Sequence, residues 1–346
     1  MNKFTKRLAA AGLCLVLTAG ALTGCSDKSG KAIATLDGVD TEYAIANIML
    51  RCNQAQMYTN YSSYMGENMW ETYGEDTKTG MMDNLKEMLI LEKHMDEYGV
   101  TVTDEDKTAI TAAATQFMSE NEEKVLKSMG ATQERVERVL TLYTIQAKMS
   151  NAMVADVDTN VTDEEAAQKT VKYVLFSTAD TYDEAGNAIA MTDDEKANLQ
   201  SQAEMVVEAM TTTADTDLET ALVSVTDTQT VLTESYGAED EDSVLEETVR
   251  AEADKLKDGE TSSVIATDAG YYVVYMESTF DEEATATEKE NIVAERQNEK
   301  FTEVYEEWEA AANFTEATDL LATMTFEDVY EMYVEETEAV AETAAE

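Results

Sequence analysis

The sequence predicts an α+β chain in which a helical region is interrupted by a compact α+β block and closed by one more helix. Three observations predict it. Apolar residues between positions 41 and 160 recur at helical spacing. Two short β-branched and aromatic runs, 171–176 and 271–276, read as buried strands bracketing a block of helices and turns. Helical spacing then returns over 287–313, with Phe301, Val304, Tyr305 and Trp308 on one face.

Each element follows from local chemistry. In 81–98, Met82, Leu85, Met88, Leu89, Met95 and Tyr98 form one apolar face, and Gly99 ends the helix. Thr103 caps the next, with acidic 104–106 in its first turn. Val136, Val139, Leu140, Tyr143 and Ala147 repeat the pattern in 132–150, while 54–80, rich in Tyr, Met and Asn, has no clear boundary. Within the α+β block, a turn is expected at Gly186–Asn187 and a capping box at Thr192–Glu195. That box opens a helix bearing Leu199, Ala203, Val206, Val207 and Met210. Ser243 and Glu246 are expected to start another helix running through Leu256 to a stop at Gly259.

Composition excludes several kinds of chemistry. The chain has 346 residues, 24 Lys+Arg against 72 Asp+Glu, a net charge of −48 and no proline. Such a field repels phosphate, so nucleic acid is excluded as a partner. The hydrophobic fraction of 44% is that of a globular protein, not of an acidic disordered polymer. His94 is the single histidine, so two-histidine metal sites and Cys/His zinc sites cannot exist. It sits in the periodic stretch 81–98 and reads as an ordinary helix residue. No cofactor is expected. Ca²⁺ could condense on the acidic surface, but the segment around Gly186 fails as an EF-hand at Thr181 and Ala185.

The first 25 residues read as an export signal. Lys3, Lys6 and Arg7 precede an apolar stretch, 8–22, that is too short for a stable membrane span. Leu22-Thr23-Gly24-Cys25 resembles a bacterial lipobox, in which the Cys thiol is diacylglycerylated and becomes the new N-terminus. The resemblance implies a lipid bilayer as partner, with Cys25 as the lipid attachment site on the outer face of the cell membrane and 25–31 as tether. Removing 1–24 leaves 21 basic against 72 acidic residues, a net charge of −51. Cys52 is then the remaining thiol, so no intramolecular disulfide is possible. The stretch from Gly24 to Lys31 is one residue too long for a P-loop and lacks the Ser/Thr after Lys.

Beyond the leader, the chain resembles the extracytoplasmic foldases of the PrsA/SurA type, in which a helical chaperone region is interrupted by a parvulin domain. Lys31-Ala-Ile-Ala-Thr-Leu-Asp-Gly38 is similar to their opening strand. Tyr98-Gly-Val-Thr-Val-Thr-Asp-Glu105 is similar to the junction after an early helix, and Val161-Thr-Asp-Glu-Glu165 to the approach to the parvulin domain. The sharpest match is Leu256-Lys-Asp-Gly-Glu-Thr-Ser262 with Ala266-Thr-Asp-Ala-Gly-Tyr-Tyr-Val-Val274, which resembles the parvulin ending. Asp217-Leu-Glu-Thr-Ala221 stands at the family's D-F-x-x-L-A segment.

The resemblance implies a SurA-N-like helical region over 32–165, a parvulin-like domain with an antiparallel sheet flanked by helices over 168–280, and helices over 287–325 that pack back on the first region. An acidic tail is expected over 326–346, with the Ala/Glu/Thr stretch beyond Glu335 solvated. It also implies unfolded exported polypeptides as partners; oligomeric state is not legible. This chain departs from the family at its cleft. Tyr173 and Tyr272 stand at the two hallmark histidines, Val249 and Asp254 at usual Phe positions, and Val264 at the usual Pro. No counterpart of the Gly-Gly-Asp-Leu-Gly segment is recognisable between Ser224 and Gly237. Tyr173 and Tyr272 read as packed strand tyrosines, or as a phenol–phenol pair if both point into the cleft. Prolyl isomerase activity is expected to be weak or absent, leaving chaperoning by Met- and Tyr-rich surface. Eight methionines lie between Met49 and Met95, most of them read as core. The alternative is a non-catalytic surface lipoprotein that binds or scaffolds one specific partner.

Overall fold

A computed structural model describes residues 17–19, 28–66, 68–182, 186–213, 216–238, 243–328 and 330–332. Cys25 and most of the segment read as an export signal lie outside the described residues. The chain divides into two units, Met1–Asp156 with Asn298–Glu346, and Val157–Gln297. The expected α+β class holds, and every paired strand is antiparallel.

In the first unit, β1 (Leu17–Ala19) pairs with a strand at the far end of the chain. β2 (Ala32–Leu36) and β3 (Val39–Glu42) form a hairpin whose turn, Asp37–Gly38, has φ of 49° and 85°. Positive φ at both turn residues matches the right-handed twist of the strands and favours Gly at the second. α1 (Tyr43–Met65) follows directly and is buried on all sides from Tyr43 to Arg51. Gly66, at φ 78°, ends it. α2 (Met69–Lys93) begins three residues on, so 54–80 contains two helices and a break.

The helix read over 81–98 is corrected at its end. α2 stops at Lys93, and Met95–Tyr98 is a 3₁₀ turn closed by Gly99 in the left-handed region. His94 is the C-cap residue between them, its ring stacked on Trp308 at 4.1 Å and its Nδ1 2.6 Å from Glu97. α3 (Asp104–Glu120) carries the reciprocal capping box of Thr103 and Asp106. α4 (Glu123–Met129) and α5 (Gln133–Met153) complete the bundle, the latter capped by Thr132. Ile33, Ile48, Leu50, Leu85, Met88, Ile90, Phe117 and Val139 are fully buried at its centre.

The second unit is a four-stranded sheet between helices. It contains β4 (Lys169–Ser177), the small hairpin β5 (Thr181–Tyr182) and β6 (Ala188–Ile189), then α6 (Asp193–Thr212) and α7 (Leu218–Val223). β7 (Leu232–Tyr236), α8 (Glu247–Ala253), β8 (Ile265–Ala266) and β9 (Gly270–Ser278) follow, and the sheet order is β7-β4-β9-β8. Alternation along β4 and β9 sends Val174, Phe176 and Val273 to a face covered by α6 and α7. Val171, Tyr173, Tyr272, Val274 and Met276 go to the other face, under α8. The expected capping box at Thr192 and Glu195 is present.

The helix expected from Ser243 through Leu256 is shorter. It begins at Glu247 and ends at Ala253, because the Ser243 hydroxyl donates to Glu234 instead of capping the helix. Gly259 lies beyond it in a separate turn, its N–H donating to the Met276 carbonyl at 2.8 Å.

α9 (Glu282–Ala311) ends in the first unit, where Phe301, Val304, Tyr305 and Trp308 pack against Leu91, Ile145, Met149 and Met153. β10 (Phe314–Glu316) adds to β2, α10 (Thr318–Leu321) follows, and β11 (Tyr330–Met332) is the partner of β1. The acidic tail therefore does not begin at 326. Phe326 stacks on Trp70 at 4.6 Å, and Tyr330, 1% exposed, shares a 2.7 Å hydrogen bond with Ser128. These large rings bury apolar area that outweighs the acidic surroundings. Residues past 332 lie outside the described ones.

Candidate functional site

The face of the sheet under α8 gathers most of the residues singled out in the sequence. β4 and β9 pair with Tyr173 opposite Val274 and Leu175 opposite Tyr272, so the two tyrosines are diagonal neighbours on one face. Their ring centroids are 6.1 Å apart at a tilt of 37°. Both are nearly covered, Tyr173 at 7% and Tyr272 at 5% exposure, and Val249 on α8 is fully buried in the same apolar cluster. The pair is thus a packed aromatic contact, and the Tyr272 hydroxyl is directed at the Glu246 carboxylate.

Asp254, the fourth position expected at the cleft, is not part of this cluster. It stands just past α8, where it accepts from Lys169 Nζ at 2.7 Å and from the Tyr236 hydroxyl at 3.0 Å. A carboxylate there closes the helix end over the sheet edge, which a Phe could not do. Val264 lies on the opposite face, half-buried against the α6–α7 cluster.

Two residues that sequence reasoning missed complete the face. Glu234 lies on β7 opposite Val171, which places it on the side of the tyrosines. Its Oε1 accepts from the Ser243 hydroxyl and from the Val244 N–H at 3.0 Å. Its Oε2 is buried with no hydrogen-bond partner among the described residues. Glu246 accepts from the Thr267 hydroxyl at 2.7 Å. Among 72 acidic residues, nothing in the local sequence distinguishes Glu234, and the spacing of Glu246 from Ser243 pointed to a helix cap instead. The period-2 run 232–236 was the available signal for β7.

The electrostatics follow from this packing. Burial raises the Tyr272 phenol above its ordinary value, reinforced by the charge of Glu246 and by Tyr173. Tyr173 is raised by burial and then by Glu234. Tyr236 is raised for the same reason, burial first and Asp254 second. These phenols are neutral hydrogen-bond donors at neutral pH, so the face offers apolar area, O–H donors and two carboxylates. It carries no nucleophile activated by a neighbouring base. Among the described residues, no group of three or more His, Cys, Asp or Glu could hold a metal ion.

No protein-family model matches the chain, and no curated protein sequence matches it. The solved structures it is similar to include PrsA- and SurA-like proteins. They include the peptidylprolyl isomerase PrsA of Bacillus cereus, 18% identical, covering 89% of this chain and 95% of that one with a TM-score of 0.29. The foldase protein PrsA of Lactococcus lactis is 16% identical, with 84% and 97% covered and a TM-score of 0.32. A structure described with the SurA-like chaperones PEB4 and Cj1289 of Campylobacter jejuni is 11% identical, with 83% and 98% covered and a TM-score of 0.28.

Proposed function

We propose that this chain is an extracytoplasmic foldase, lipid-anchored through Cys25, that holds unfolded exported polypeptides and has little or no prolyl isomerase activity. One observation carries the reading. Of the two segments that resemble the parvulin ending, 256–262 forms the turn before β8 and bridges β9 at Thr261, and 266–274 runs from β8 into β9, where Tyr272, at a position the resemblance gives to a histidine, lies beside Tyr173.

Isomerisation needs no nucleophile. The X–Pro bond rotates over a barrier of about 18–20 kcal/mol, which an enzyme lowers by gripping the proline ring and stabilising the twisted amide. Here the grip is weakened, since Val249 fills the position of an aromatic wall and both tyrosines are packed into the cluster. The helical unit supplies what a holdase needs. Tyr61, Tyr64, Met65 and Tyr73 are exposed at the end of α1 and the start of α2, and such side chains adapt to varied partners.

The test is a paired assay on the chain lacking residues 1–24. Suppressed aggregation of several unrelated denatured proteins, with X–Pro isomerisation at background, is the expected result. Isomerisation well above background that Tyr272→Phe abolishes would overturn the catalytic half. Protection of no client, with capture of one species, would overturn the foldase half.

A further inference from the structure

The strand Tyr330–Met332 is held rigidly on one side and occupied on the other by an unexpected segment. On the held side, Met332 N–H donates to Thr59 Oγ1 of α1 at 2.9 Å. Just upstream, Arg51 and Gln54 of α1 donate to the carbonyls of Thr325 and Asp328 at 2.8 Å each. On the far side lies β1, in register Leu17 with Met332, Thr18 with Glu331 and Ala19 with Tyr330. Strand amides alternate in direction, so with Met332 turned to Thr59, it is Glu331 whose N–H and C=O face Thr18.

The occupant belongs to the leader, an apolar run without charge from Leu8 to Leu22 that the lipobox reading removes. The half of α1 beside this strand, residues 52–66, has no charged residue in fifteen, within a chain of net charge −48. Removal of the leader leaves a strand edge with α1 behind it and α4 (Glu123–Met129) beside it.

We infer that the edge of Tyr330–Met332 is a strand-acceptor site, filled by the leader before processing and afterwards by extended, apolar segments of client polypeptides. Main-chain pairing gives such a site affinity for many sequences. The inference rests on the foldase reading and gives it a binding mode. Ordering of the edge by α1 before any ligand arrives lowers the cost of binding.

The probe is a fluorescent peptide of residues 13–22 with Cys14 replaced by Ser and two lysines added at its end. Its anisotropy is followed on the chain lacking residues 1–25. Saturable binding is expected, weakened about tenfold or more when the Thr18 amide of the peptide is N-methylated, since one pairing bond is lost and a methyl group intrudes. Glu331→Pro should weaken it similarly, and Glu331→Gln should leave it within about twofold because the backbone is unchanged. A chain that retains its leader, with Cys25→Ser to block processing, should bind far more weakly, because a tethered segment competes at high effective concentration.

Equal binding of the N-methylated peptide overturns the inference without depending on any variant's folding. A peptide that binds but does not compete with a denatured client overturns the client half of it. Failure of the unmodified chain to suppress any aggregation counts against the foldase reading instead, and the N-methyl comparison still decides the edge.

Discussion

Replacing Arg51 by Met removes a buried cation and keeps most of its apolar stem. Arg51 is 7% exposed, and its hydrogen bonds run to neutral acceptors: Thr325 O at 2.8 Å, Gln54 Oε1 at 2.6 Å and Asn47 Oδ1 at 3.2 Å. Its guanidinium also lies 5.1 Å from the centre of the Tyr330 ring. Two short charge-assisted bonds contribute roughly 1.5–3 kcal/mol each, and the acceptors left behind are costly to bury unpaired. The recovered desolvation of the cation offsets part of this, leaving a net loss of about 3–5 kcal/mol. Both tryptophans, Trp70 and Trp308, lie in the helical unit. Urea unfolding followed by tryptophan fluorescence therefore reports that unit alone. The loss should appear there, while the sheet unit, followed by near-UV signals of its tyrosines, keeps its midpoint. A fluorescence-detected change below about 1 kcal/mol would refute the view that this one side chain ties the C-terminal segment to α1.

Three further predictions concern single positions. Gly270→Ala should prevent the sheet unit from folding, because a Cβ there would sit 2.2 Å from the Phe176 carbonyl oxygen at φ 144°; loss of native dispersion in the NMR spectrum of that unit is the check. Burial raises the Asp106 carboxyl, but hydrogen bonds from Lys148 and Thr103 outweigh it and hold the group below 3.8. Its stabilising contribution is therefore present above that pH and lost as the pH falls through the folded value, and Asp106→Asn should flatten the acid limb of a stability profile. Glu234→Gln should lower the ionisation points of Tyr173 and Tyr272, since Glu234 opposes the phenolate at both, and titration of ring-labelled tyrosine detects the change. Unmoved tyrosine titrations would remove Glu234 from the electrostatics of that face.

Much of the fold was legible because its signals are local. Thr103 with Asp106, and Thr192 with Glu195, are capping boxes whose partners lie three residues apart, so the chemistry is complete within one turn. The strands at 171–176 and 271–276 announce themselves by continuous apolar runs, as expected of strands buried on both faces. The start of α8 misled for the complementary reason. Ser243 with Glu246 has the spacing of a cap, yet its hydroxyl is drawn to Glu234, nine residues away and placed by the pairing of β7 with β4. His94 had no legible role because Trp308, on which it stacks, lies far along the chain.

The candidate site divides along the same line. Sequence alone determined that the chain is strongly acidic, and resemblance singled out Tyr173, Tyr272, Val249 and Asp254. Only the tertiary structure decided that the first three share one packed cluster while Asp254 leaves it for Lys169 and Tyr236. It also decided that Glu234 and Glu246 join that face, and that Tyr330, within the expected tail 326–346, is core. The physical reason is one of range. Propensity, capping and periodicity act within a few residues and can be read along the chain, whereas partners for a carboxylate, a ring or an open strand edge are chosen by strand register and packing between distant segments.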